Sequence, residues 1–88
     1  MPTKDRTADT PVKADETLDL RGLKCPLPAL FAKRALVRSA YGKVIEVVCD
    51  DPMAGIDVPH MCRQENFQVL DEVREGAVVR LWLRRQSD

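Results

Sequence analysis

Leu18 and Leu20 alternate with Thr17, Asp19 and Arg21, the period-two pattern of a short strand, and Gly22 closes it. From Pro26 to about Ala40 the chain is rich in Ala and Leu, lacks an interior glycine or a β-branched cluster, and meets Gly42 just beyond. That predicts a helix ending near Tyr41. Its expected buried side carries Ala29, Ala32, Leu36 and Ala40, away from Lys33, Arg34 and Arg38. Leu27, Leu30, Phe31 and Val37 fall outside that stripe, so the helix either is closely flanked or keeps an apolar surface for a partner. Val44 to Cys49 is β-branched and apolar except for Glu46, as a central strand covered by helices on one face would be. Alternation groups Ile45, Val47 and Cys49 against Val44, Glu46 and Val48, and Asp50-Asp51-Pro52 ends the strand. A second helix is predicted over about Gly55 to Glu65, with Asp57 near its cap, Pro59 in its first turn, and Val58, Met61 and Cys62 on its apolar side. Phe67 to Val73 and Ala77 to Arg85 form a hairpin around Arg74-Glu75-Gly76, the glycine serving a positive φ. In its second strand Val79, Leu81 and Leu83 share one face and Val78, Arg80, Trp82 and Arg84 the other.

The order is βαβαββ. Right-handed crossovers then place both helices on one side of a mixed four-stranded sheet, an α+β fold of two layers. The far face of the sheet is expected to be open to solvent, with Trp82 on it between Arg80 and Arg84. Residues 1–16 carry no apolar periodicity and are rich in Thr, Lys and Asp, so they read as a disordered tail before one domain over 17–88. About seventy residues suffice for a single modest core. The tail has no apolar segment of the signal-peptide type and no stretch reaches the length of a membrane span, which points to the cytoplasm. Three cysteines without C-x-x-C spacing argue against a disulfide scaffold and weaken a zinc reading. A formal net charge of zero gives no reason to expect non-specific nucleic-acid binding.

Candidate chemistry concentrates in R-G-L-K-C-P-L-P-A-L, residues 21–30. The proline after Cys25 biases the cysteine toward extended backbone, and Pro26 suits a first helical position, so Cys25 reads as the N-cap of the first helix. With Pro28 at the third position, the free first-turn amides would be those of Leu27, Ala29 and Leu30. Such donors, together with the helix dipole, would depress the pKa of Cys25 and make its sulfur reactive.

G-L-K-C-P-L-P followed by D-D-P-M-A-G-I-D-V-P-H-M-C resembles the small sulfur-carrier proteins of the TusA/SirA type, whose signature is G-L-x-C-P-x-P, then D-D-P and D-I-P. The resemblance covers roughly residues 17–85 and implies a two-layer βαβαββ sandwich in which the C-P-x-P cysteine, here Cys25, carries sulfur as a persulfide. It further implies a cysteine desulfurase or rhodanese-like sulfur donor and a downstream acceptor protein. Where that family often has Gly-His after the second helix, this chain has Asn66-Phe67. Asn tolerates the left-handed helix-ending conformation, so the turn survives, but no role of that histidine transfers.

The other singled-out residues have plainer readings. Cys49 and Cys62 lie on apolar faces and read as packing, with a resolving thiol at Cys62 as the alternative. His60 and Cys62, two apart on a helix, point in different directions and make a poor metal pair. Turn formation and capping account for Asp50, Asp51 and Asp57, with a minor functional role near the Cys25 loop, on the same edge of the domain, as the alternative. Lys24, Lys33, Arg34 and Arg38 form the best basic surface, as a solvated helix face or as a docking site. One tryptophan between arginines does not make a nucleic-acid platform. Three function classes follow: a sulfurtransferase acting as a persulfide carrier on Cys25, a non-enzymatic regulatory or RNA- or protein-interaction module, and a thiol redox protein using Cys25 with Cys62. The carrier reading requires no cofactor and no metal, expects no direct contact with nucleic acid or membrane, and expects a monomer when free. tRNA thiolation, sulfur oxidation and molybdenum-cofactor maturation are the destinations it leaves open.

Overall fold

In the computed structural model, which describes residues 13–85, the elements follow the expected order. They are β1 (Glu16–Asp19), α1 (Leu27–Arg38), β2 (Val44–Cys49), α2 (Ala54–Glu65), β3 (Phe67–Glu75) and β4 (Val78–Arg85). The sheet order is β1-β2-β4-β3, with β1 parallel to β2 and the other pairs antiparallel. Residues 1–12 of the expected tail lie outside the described residues. Of the residues read as tail, Glu16 belongs to β1 and Asp15 is tied to β2. The Asp15 N–H donates to the Val44 carbonyl at 2.8 Å, and the Asp15 carboxylate accepts from the Val44 N–H at 2.9 Å.

Register puts apolar pairs on the helix side. Ile45 faces Leu83, Val47 faces Leu81 and Cys49 faces Val79, and all six are buried in one core with Ala32 and Leu36 of α1 and Val58, Met61 and Cys62 of α2. A bulge between Val69 and Asp71 shifts the pairing of β3, so that Asp71 faces Trp82, Glu72 faces Leu81 and Arg74 faces Val79. The shift brings Arg74 to the helix side, against Gly55 of α2. A Cβ at Gly55 would run into its guanidinium.

Three local expectations are corrected. α1 ends at Arg38 and not near Tyr41, because Ser39 turns extended as its C-cap and its hydroxyl donates back to the Ala35 carbonyl at 2.8 Å. Ala40 is consequently exposed, outside the helix. α2 begins at Ala54, which puts Pro59 inside it, and Asp57 in its first turn does not cap it. Asp51 supplies that function from the preceding turn: its carbonyl accepts the Ala54 N–H at 3.0 Å and its carboxylate the Met53 N–H at 2.8 Å. Thirdly, Trp82 lies on the helix-free face as expected, yet it is only 6% exposed, as is Val48. Arg80 bonds Glu46 at 2.9 Å and Arg84 bonds Gln68 at 2.6 Å, laying long aliphatic stems on either side of the indole. Asn66 and Gly76 do end α2 and turn the hairpin at φ of 64° and 60°.

Candidate functional site

β1 and β2 run parallel, so the loops that leave their C-terminal ends meet at one edge of the sheet. The first loop carries Arg21 to Pro26, the second Asp50 to Met53. Asp50 accepts the Gly22 N–H at 2.9 Å, and the buried carboxylate of Asp51 accepts both the Cys25 N–H and the Met53 N–H. These amide bonds hold the Asp51 carboxyl below the usual carboxylate range, the Met53 N–H contributing most. Asp51 thus pins the Cys25 backbone to the start of α2.

Cys25 is exposed but does not cap α1, contrary to the expectation from sequence. Lys24 accepts the Leu27 N–H in a separate turn at 2.8 Å, and the first helical bond runs from the Leu30 N–H to the Pro26 carbonyl at 3.1 Å, which makes Pro26 the N-cap. Of the three amides expected to be free, those of Leu27 and Leu30 are therefore taken. The Cys25 Sγ–H donates instead to Asp57 Oδ2 in the first turn of α2. Asp57 first, then the loss of hydration and the charge of Asp51, push the thiol above its ordinary value, so the expected depression is reversed. Carboxylates outweigh the helix end here.

The remaining thiols are set apart by burial. Cys49 and Cys62 are fully enclosed in the core, and burial drives their pKa from 9.0 to about 11 and about 12. His60 is exposed on α2. On the basic surface, Lys33 pairs with Glu65 at 3.1 Å and the Arg34 guanidinium lies 5.8 Å from the Phe31 ring centroid. The segments that meet at this edge carry exposed apolar residues: Leu27, Met53 and Ile56 are 39%, 45% and 60% exposed. The minor role near the Cys25 loop that the sequence left open for Asp50, Asp51 and Asp57 is given specific contacts, Asp51 to the Cys25 N–H and Asp57 to its thiol, which the sequence did not foresee. Their signal was topological, since parallel neighbours bring D-D-P and D-V-P beside C-P-L-P.

The family model for sulfurtransferase TusA matches residues 16–85, the whole of the sheet and both helices. The chain belongs to the TusA family. A Neisseria meningitidis serogroup A protein named "Putative sulfur carrier protein NMA0882" is 44% identical over 66 residues, covering 75% of this chain and 89% of the relative. "Sulfur carrier protein TusA" of Pseudomonas entomophila is 31% identical over 74 residues, covering 84% of this chain and 92% of its own. Among solved structures, the SirA-like protein of Desulfitobacterium hafniense superposes with a TM-score of 0.70 at 23% identity, over 82% of this chain and 99% of that one. Its likeness concerns the fold, and it carries the same α+β architecture.

Proposed function

We propose that this TusA-family protein is a sulfur carrier that relays persulfide sulfur on Cys25, taking it from a cysteine desulfurase or rhodanese-like donor and passing it to an acceptor protein in the cytoplasm. The observation that supports this reading most is the contrast among three thiols of one small domain. Cys25 is exposed on a loop anchored at both strand ends, while Cys49 and Cys62 are sealed in the core. A relay needs one accessible sulfur and a surface for docking, and Leu27, Met53 and Ile56 supply exposed apolar side chains on the segments that meet at this edge. The chemistry is thiol exchange onto sulfane sulfur, so the protein is a transferase whose turnover depends on a partner protein. Thiolation of tRNA or another branch of sulfur metabolism would consume the product.

A Cys25–Cys62 redox couple gains nothing from this geometry, because Cys62 has no exposed surface and its thiol is pushed up to about 12. Incubation with a desulfurase, pyridoxal phosphate and labelled cysteine, followed by intact-mass analysis, tests the carrier reading. Wild-type protein is expected to gain one sulfur. Cys25→Ser is expected to gain none while keeping its circular dichroism, and Cys62→Ser to keep most of the transfer. Equal sulfur uptake by Cys25→Ser would refute the assignment.

A further inference from the structure

Asp57 holds the one reactive thiol by its proton. The side chain is placed for this by three features of the chain. Asp51 ties the Cys25 backbone to the N-terminus of α2, α2 begins at Ala54 so that Asp57 falls in its first turn, and Cys25 stands free of α1 because Pro26 caps that helix. Among the described residues, the charged groups on this edge are few. Asp51 and Asp57 face Cys25, Lys24 precedes it in the chain, Asp50 is bonded to the Gly22 N–H, and Arg21 is committed to Asp19 at 2.9 Å. Arg74, lying against Gly55, is committed to Glu72 at 3.5 Å. Among the described residues no cation forms an ion pair with Asp50, Asp51 or Asp57, although the charge of Lys24 acts on Asp51 and that of Arg21 on Asp50 at longer range.

We infer that Asp57 is a second catalytic residue of sulfur transfer: its carboxylate keeps Cys25 as the thiol in the unbound protein and is taken over, on docking, by a cationic side chain of the sulfur donor. The inference deepens the carrier reading and rests on it. The physical reason lies in contact. Asp57 Oδ2 is in hydrogen-bonding contact with Cys25 Sγ, so a donor sulfur brought onto Sγ comes close to that carboxylate, and a carboxylate covered without a cation is costly to desolvate. A donor that places Lys or Arg there removes that cost and also the acceptor that held the proton. The loss of both effects favours the thiolate. Cys25 Sγ then attacks the outer sulfur of the donor's Cys–S–SH. The new S–S bond forms as the donor's own S–S bond breaks, its electron pair leaves on the donor cysteine, and the proton given up by Cys25 ends on that leaving thiolate. One disulfane bond replaces another, so no oxidant is consumed.

Asp57→Asn preserves shape and removes the charge. Cys25 alkylation by iodoacetamide, followed against pH by mass spectrometry on the full chain, reads the thiol. Sulfur uptake is read with two donors, glutathione persulfide and a persulfidated cysteine desulfurase. In Asp57→Asn, confirmed folded by circular dichroism, alkylation at pH 7 should rise severalfold over wild type, because the group that raises the thiol pKa is gone. Uptake from glutathione persulfide should rise with it, while uptake from the desulfurase should fall below wild type. Asp57→Glu, which keeps the charge, should restore desulfurase uptake in part. An unchanged alkylation profile would overturn the hold on the thiol, and equal acceleration with both donors would overturn the donor cation. If wild-type protein takes sulfur from neither donor while the alkylation shift is present, the carrier reading fails and the proton-holding contact stands.

Discussion

Asp51 shows how much one carboxylate decides at the residue scale. It is buried and forms no ion pair among the described residues, Lys24 acting on it only at longer range, and two backbone amides satisfy it. A buried carboxylate in that state joins its two donors rigidly, here the loop of Cys25 and the start of α2. Cys49 and Cys62 illustrate the opposite case, groups buried because they are neutral. Their folded pKa values, about 11 and about 12, exceed the 9.0 of an ordinary thiol. Between those limits the unfolded chain loses protons that the folded chain keeps, so the stability these thiols support is complete below pH 9 and lost as pH rises through their folded values. Urea midpoints measured from pH 8 to 11 are therefore expected to fall. The loss should be on the order of 1 kcal/mol per thiol at pH 10, and Cys62→Ala should show a shallower decline than wild type.

At the scale of elements, the last strand finishes the first helix. Arg85, at the end of β4, donates from Nη1 to the carbonyls of Val37 and Ser39 at 2.9 and 3.0 Å, and its guanidinium stacks 4.3 Å from the Tyr41 ring centroid. The C-terminal carbonyls of a helix lack intrahelical donors, and a cation there also opposes the negative end of the dipole. Arg85→Ala should destabilise the fold by about 1–2 kcal/mol, from the lost hydrogen bonds to Val37, Ser39 and Tyr41 and a lost cation–π contact. Amide exchange should quicken at the last turn of α1 and leave its first turn near the wild-type rate; uniform acceleration along α1 would argue against a capping role. The sequence pattern ran this helix past its true end for a related reason. Ala40 and Tyr41 are compatible with helix, and the stop comes from Ser39 and from an arginine 46 residues away from it.

At the scale of the whole molecule, Asp15 and Glu16 are joined to β2 although they carry no apolar periodicity. Deleting residues 1–16, which the pattern alone treats as harmless, removes Glu16 from β1 and both bonds between Asp15 and Val44. Two hydrogen bonds are worth about 1–3 kcal/mol, and each kcal/mol moves the thermal midpoint of a domain this size by roughly 4–8 °C. The 1–16 deletion should melt several degrees lower than wild type, whereas a midpoint within about 1 °C of it would leave the boundary at Thr17.

Local periodicity was enough to read βαβαββ, the core faces of β2 and β4, the left-handed Asn66 and the burial of Cys49 and Cys62, because each depends on residues a few positions apart. The motif around Cys25 was legible for the same reason. The state of its thiol was not. Asp51 and Asp57 lie 26 and 32 residues from Cys25, and only the parallel pairing of β1 with β2 and the start of α2 at Ala54 bring their carboxylates to the sulfur. A one-residue difference in where α1 begins moved Cys25 off the helix end that would have lowered its pKa. Trp82 belongs to the same class: alternation put it on the helix-free face, where it is buried between Arg80, ion-paired to Glu46, and Arg84, hydrogen-bonded to Gln68. Chain pattern specifies which faces are apolar, whereas the charge balance at a site depends on which distant groups the topology places within hydrogen-bonding reach.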